Sequence, residues 1–183
     1  LSSLSHTREP HRDARPWLVL IAILVIALDR ITKIVVARSV ESGTGIVVIP
    51  RVFRITHVVN TGAAFSMFAD SASPLVVRTG LIAFSVLAAV GIVYMLWRYG
   101  KTWSPASVGL ALILGGAVGN LYDRALLHYV VDFLEVHIGT YHWPDFNLAD
   151  SAICVGAILL IADMLFSNDA TQQPTGEGDA GGV

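Results

Sequence analysis

The chain has 183 residues, of which 54% are hydrophobic and only 14% charged, with a formal net charge of -2 and a mean hydropathy of +0.65. Soluble globular proteins carry about 25% charged residues, so the composition excludes an ordinary soluble domain and points to a membrane protein. The charge balance offers no basic footprint for nucleic acid, and the single cysteine, Cys154, excludes an internal disulfide or a cysteine-based zinc cluster.

In chain order, Arg8, Arg12 and Arg15 precede a first apolar stretch at 17–37. Residues 18–28 have the length of a signal-peptide core, but Asp29, Arg30 and Lys33 stand where a small-residue cleavage site belongs. Three more apolar stretches follow, so the first is read as an uncleaved anchor. The next segment, 38–73, contains GIVVIPRVFRITHVV, whose β-branched residues predict short strands broken at Pro50. A second apolar stretch runs over 74–97 and a third over 105–121, with Arg98 and Lys101 in the tight link between them. Residues 121–147 carry the aromatic group Tyr141, His142, Trp143, Pro144, which predicts a loop resting at headgroup level. The fourth apolar stretch covers 148–166, and the tail at 171–183, made of Gln, Pro, Gly and acid, is expected to be disordered and cytoplasmic.

Each stretch is near the roughly 20 residues that cross a bilayer, and lone strands cannot cross, so helices are expected. The positive-inside rule places the N-terminal arginines and the 98–101 link in the cytoplasm. Four spans return the C-terminus to the same side and leave 38–73 and 121–147 outside. The expected fold is an all-α membrane protein, a four-transmembrane-helix bundle with a small extracytoplasmic β-cradle, forming a single integral membrane domain over 1–170.

The polar residues converge on one depth. Asp29 lies roughly 18 Å and Asn120 roughly 22 Å from the cytoplasmic edge at 1.5 Å per residue. Asp123 and Arg124 end the third stretch, Asp132 follows on the outer side, and Asp150 opens the fourth stretch. Asp29 and Lys33, at i and i+4, share a helix face and can pair; Arg30 points elsewhere and is read as snorkelling. Gly115, Gly116 and Gly119 allow close helix approach, while Asn120, Asp123 and Arg124 read as scaffold. Asn60, before Thr61 and Gly62, suits a turn or an amide offered to a peptide backbone or an oxyanion. His57, His128, His137 and His142 form no compact ligand spacing, so no metal is expected. Cys154, inside an apolar run, reads as a small packing residue.

Two carboxylates at a membrane face are the parts of acid–base peptide hydrolysis. Asp150, just before an apolar helix, suits an N-cap whose charge the helix dipole favours. Asp132, between Val131 and Phe133, has an apolar setting that raises a carboxyl pKa. Such opposed environments give one acid and one base.

The blocks DRITK, HVVNTGAAFS, GNLYDR, VVDF and FNLADSA occur in that order between Trp17 and Phe166. In these five blocks the chain resembles the lipoprotein signal peptidases (signal peptidase II). The resemblance implies an intramembrane aspartyl endopeptidase of the bacterial inner membrane, cutting lipidated prolipoproteins on the N-terminal side of a diacylglyceryl cysteine. It implies catalytic roles for Asp132 and Asp150, and supporting or substrate-binding roles for Asp29, Lys33, Asn60, Asn120, Asp123, Arg124 and Asn147. It adds a surface helix to the outer cradle, implies no metal or organic cofactor, and leaves lipidated substrate and membrane lipids as the partners of an expected monomer. The rival reading from the polar residues is a small transporter or proton channel. That reading calls for a polar path along the spans, whereas the second and fourth stretches are almost purely apolar in their inner parts. A third reading is a non-catalytic scaffold using the acids as caps and ion pairs.

Overall fold

The computed structural model describes residues 13–62 and 73–169. Four long helices dominate: α1 (Arg15–Ser39), α2 (Pro74–Tyr99), α3 (Pro105–Tyr122) and α4 (Leu148–Asp169). Each begins and ends within three residues of an apolar stretch. Pro16, Pro74 and Pro105 sit in the first turns of α1, α2 and α3, where a missing N–H costs nothing. Ser104 and Ser107 close a reciprocal capping box at the start of α3.

Residues 75–99, 105–127 and 148–166 are long and apolar enough to cross a bilayer. Helix α1 spans 25 residues but carries Asp29, Arg30 and Lys33 in its last half. Helix α2 turns apolar side chains outward over most of its surface, with Phe84, Leu87 and Trp97 all exposed, as a helix in contact with lipid does.

Helix α3 is central, and glycines set its distance from its neighbours. A Cβ on Gly115 would lie 2.7 Å from Val25 Cβ on α1, and one on Gly119 would lie 2.9 Å from Asp29 Oδ2. On the other side, a Cβ on Gly109 would meet the Gly156 carbonyl oxygen at 2.6 Å, and one on Gly116 would collide with the Ala149 carbonyl of α4. In lipid there is little hydrophobic drive between helices, so this close backbone approach provides the packing.

At one end of the bundle, Ala14, Leu18, Leu96, Leu110 and Ala111 form a buried cluster. At the other end stands a four-stranded antiparallel sheet in the order β1 (Gly45–Ile49), β2 (Phe53–Asn60), β3 (Val130–Ile138), β4 (Tyr141–Phe146). Val131 and Phe133 of β3 are buried against Val36 and Val40 of α1. Each such side chain contributes about 1.5–3 kcal/mol by leaving water, so the sheet is docked on the helices rather than hinged above them.

The outer segments differ from expectation in two respects. Residues 121–147 are not an irregular loop: they comprise a π-helical turn (Asp123–Leu127) and the β3–β4 hairpin, which supplies half the sheet. The chain enters β3 through His128, at φ 72. Among the described residues this π-helical turn is the only helical element outside the four long helices, so no separate surface helix is present there. The end of the HVVNTGAAFS block, from Ala63 on, lies outside the described residues, as do Arg8, Arg12 and the tail at 171–183.

Candidate active site

Asp132 lies in the middle of β3, not in a loop beside a helix end. Its cross-strand partner on β2 is Val58. Asn60, two residues further along β2, therefore shares its face of the sheet. The Asn60 amide Nδ2 donates to Asp132 Oδ2 at 2.9 Å, while Asn60 Oδ1 accepts from the Gly62 backbone N–H at 3.0 Å. The turn expected of Asn60 is thus present, and its amide is bonded to the Asp132 carboxylate.

Asp150 is in the first turn of α4, and the cap is Asn147. The Asp150 N–H donates to Asn147 Oδ1 at 3.0 Å, and Asp150 Oδ2 accepts the Asn147 N–H at 3.1 Å. This reciprocal pair is a capping box, so Asp150 closes the cap rather than forming it. A carboxylate three residues into a helix faces the positive end of its dipole.

Asn147 joins the two acids. Its Nδ2 donates to Asp132 Oδ1 at 2.7 Å while its backbone and Oδ1 hold Asp150. Asn120 holds the other oxygen of Asp150, Nδ2 to Oδ1 at 2.8 Å, and its own Oδ1 accepts from Lys33 Nζ at 2.9 Å.

Beneath this layer is a closed ionic cluster. Lys33, only 1% exposed, places Nζ 2.8 Å from Asp29 Oδ2 and 2.7 Å from Asp123 Oδ2. Asp29 Oδ1 accepts the Ala149 N–H at 3.0 Å, tying α1 to the first turn of α4. Arg30, read from the sequence as a snorkelling residue, instead donates to Asp123 Oδ1 at 3.0 Å. Two acids and two bases make the cluster neutral, the condition under which buried charges are tolerated.

Asp132, Asp150, Asn60, Asn120, Asn147 and Arg124 face one cavity of about 510 Å³. Its apolar wall comes from Val130, Trp143, Pro144 and Phe146 on the sheet side and Val155 on α4. Burial pushes the Asp132 carboxyl up to about 6; the Asp150 charge acts in the same direction, and the bonds from Asn60 and Asn147 hold it down. Arg124 touches the Asn120 carbonyl at 3.4 Å and is the cation that lines the cavity. Asp145 also lines the cavity, so three carboxyls face one guanidinium, and a proton held between Asp132 and Asp150 reduces the excess of negative charge.

Each of the nine residues named from the sequence is thus bonded directly to at least one other of them. Sequence reasoning missed Arg30 and the aromatic wall of β4. It also missed Cys154, which lines the cavity one turn along α4 from Asp150 instead of serving as core packing. Two β-rich runs flanking Gly139 and Thr140 were the available signal for the hairpin that carries the wall.

Known proteins resemble this chain over most of its length. The family model described as signal peptidase (SPase) II matches residues 21–166. The chain is 47% identical over 150 residues to the lipoprotein signal peptidase of Paraburkholderia phymatum, covering 82% of this chain and 87% of that protein. It is 42% identical over 150 residues to the lipoprotein signal peptidase of Desulforapulum autotrophicum, covering 82% and 92%. A solved bacterial membrane enzyme, determined by the in meso method at 2.3 Å, superposes with a TM-score of 0.78 at 29% identity over 91% of this chain and 98% of its own.

Proposed function

We propose that this chain, which belongs to the signal peptidase II family and removes the signal peptide from prolipoproteins, does so as an aspartic endopeptidase whose reacting pair is Asp132 and Asp150. The observation that carries this reading is that two carboxylates from different elements face one cavity with a single asparagine bonded to both.

The mechanism begins with one shared proton. Asp150, at the helix N-terminus, is the ionised partner; Asp132, in the more apolar setting, is the protonated one. Asp150 takes a proton from a water, whose oxygen bonds to the scissile carbonyl carbon. Asp132 gives its proton to the carbonyl oxygen, forming a neutral tetrahedral diol. Asp150 then protonates the amide nitrogen, the C–N bond breaks, and Asp132 recovers a proton from a diol hydroxyl as the new carboxylic acid forms. Water is consumed and both carboxyls return to their starting states. Arg124 and Asn60 orient the substrate backbone, and the ionic cluster of Asp29, Arg30, Lys33 and Asp123 fixes the first turn of α4, which carries Asp150.

The scissile bond lies on the N-terminal side of a cysteine carrying diacylglycerol. The apolar cavity wall and the lipid-facing helices suit a substrate whose acyl chains remain in the bilayer while its peptide reaches the polar pair. We place the chain in the bacterial inner membrane with four spans, both termini cytoplasmic and the active site at the outer face. Arg15, Arg98 and Lys101 gather at the end of the bundle opposite the sheet, where the Ala14 N–H donates to the Lys101 carbonyl at 3.0 Å, in keeping with the positive-inside rule.

The test is cleavage by the purified chain of a precursor peptide with and without the diacylglyceryl group, with the products mapped by mass. Cleavage before the cysteine of the lipidated form, undiminished by a strong chelator, is expected. Loss of activity on chelation, restored by a metal, would exclude the aspartic mechanism.

A further inference from the structure

The β3–β4 hairpin brings together a cluster that the peptidase reaction does not use. Glu135 and His137 alternate on β3 to the same face, and His142 stands opposite His137 across the hairpin. Gly139, at φ +64, allows the tight turn that closes it. His137 Nε2 lies 2.8 Å and His142 Nε2 lies 3.3 Å from the same oxygen, Glu135 Oε1. The candidate donor atoms of all three residues lie within 4.8 Å of one another.

We propose that Glu135, His137 and His142 form a binding site for a divalent transition-metal ion of the zinc class, outside the bilayer and separate from the aspartate pair. Two imidazoles and one carboxylate are a donor set that such ions favour. Bonds of about 2.0–2.1 Å in tetrahedral geometry separate neighbouring donors by roughly 3.3 Å; the two ring nitrogens lie 2.8 and 3.3 Å from Glu135 Oε1, and all three donors fall within 4.8 Å, so side-chain adjustment alone closes the site. Glu135 is itself only 6% exposed. Its Oε2 lies 2.9 Å from Arg54 Nη1 but has no hydrogen-bond partner of acceptable geometry. Oε1 is thus shared by two ring nitrogens and by Arg54 Nη1, which donates to it at 3.2 Å, while Oε2 has Arg54 alone as its ionic partner. An ion between the rings and Oε1 replaces the contact of two ring nitrogens on one oxygen and leaves Oε2 to Arg54, the outer partner that orients the ligand. Asp145 Oδ2, 4.0 Å from His142 Nε2, is placed to supply a fourth donor, and the rings are open enough for an ion to enter, with side-chain exposures of 30% and 48%. A bound ion staples β3 to the strand whose Trp143, Pro144 and Phe146 wall the cavity. It stabilises the hairpin and takes no part in bond cleavage, so the stripped chain keeps its peptidase activity.

The experiment uses the full chain, purified in detergent without a polyhistidine tag and stripped with a chelator. Zinc is titrated against a competing chromogenic chelator, and ligands are identified by X-ray absorption. One ion per chain, nitrogen and oxygen ligands only, and a rise in melting temperature on loading are expected. The His137→Ala/His142→Ala double variant should bind about 100-fold more weakly or worse, and Arg54→Gln about tenfold more weakly. A double variant with unchanged affinity, a sulfur ligand from Cys154, or no zinc binding by the intact chain would overturn the site and leave the cluster as an ion-pair network. Peptidase activity of the stripped chain is a separate readout, so this proposal and the aspartic mechanism fail independently.

Discussion

Asn147 donates its side-chain amide to Asp132 at 2.7 Å while its own backbone N–H is held by Asp150 at 3.1 Å. One residue thereby sets the relative position of two carboxylates that reach the cavity from a strand and a helix. Asn147→Ala removes the α4 cap, which costs about 1 kcal/mol, and releases Asp132. Misplacement of reacting groups by about 1 Å costs roughly 100-fold in rate. The expected outcome is a small drop in melting temperature with a fall in kcat of about 100-fold or more. A rate loss matching only the loss of stability would show that Asn147 is a cap and nothing else.

The pH dependence follows from Asp132. A carboxyl raised to about 6 by burial holds its proton in the folded state at pH values where an unfolded one, at 3.8, has lost it. The reaction needs that proton, so kcat/KM should fall as pH rises through about 6, a value that belongs to the coupled pair. The linked stability has the same sign: it is fully present below 3.8 and is lost as pH rises through about 6. Asn60 donates to the ionised form, so Asn60→Ala should move the alkaline limb to higher pH as well as lowering the rate. A limb that moved to lower pH would contradict the assignment of Asp132 as the acid.

The ionic cluster should behave as a charge-balanced unit. Lys33→Met leaves Asp29 and Asp123 against one arginine and should destabilise the chain by about 3–5 kcal/mol. Adding Asp29→Asn restores neutrality while keeping an oxygen for the Ala149 N–H. Thermal unfolding of the double variant should therefore recover much of the loss. Additive losses would show that the contacts act independently.

Helix spacing gives a prediction independent of charge. Gly116→Ala drives a Cβ into the Ala149 carbonyl at the first turn of α4, which should cost about 1–3 kcal/mol and displace Asp150, lowering kcat. Gly80, on α2, has nothing within 4 Å of an added Cβ, so Gly80→Ala should leave activity unchanged. Equal effects of the two substitutions would remove the spacing argument.

What could be read from the sequence divides along physical lines. The helices were legible because a bilayer demands long apolar runs, and the convergence of Asp29, Asn120, Asp123 and Asp150 followed from depth along those runs. The cavity wall was not, because Trp143 and Phe146 act through a hairpin whose register is a non-local property. Arg30 was misread because helical spacing assigns a face but does not reveal that Asp123 of another helix lies opposite it. The association of His137 and His142 with Glu135 was invisible for the same reason: ligand spacing along a chain does not describe donors paired across strands.

The most direct test replaces each acid by its nearest neutral relative. Asp132→Asn and Asp150→Asn should each purify as a folded membrane protein and should each fail to cleave a diacylglyceryl-modified precursor above background. Robust turnover by either variant would contradict the two-aspartate mechanism.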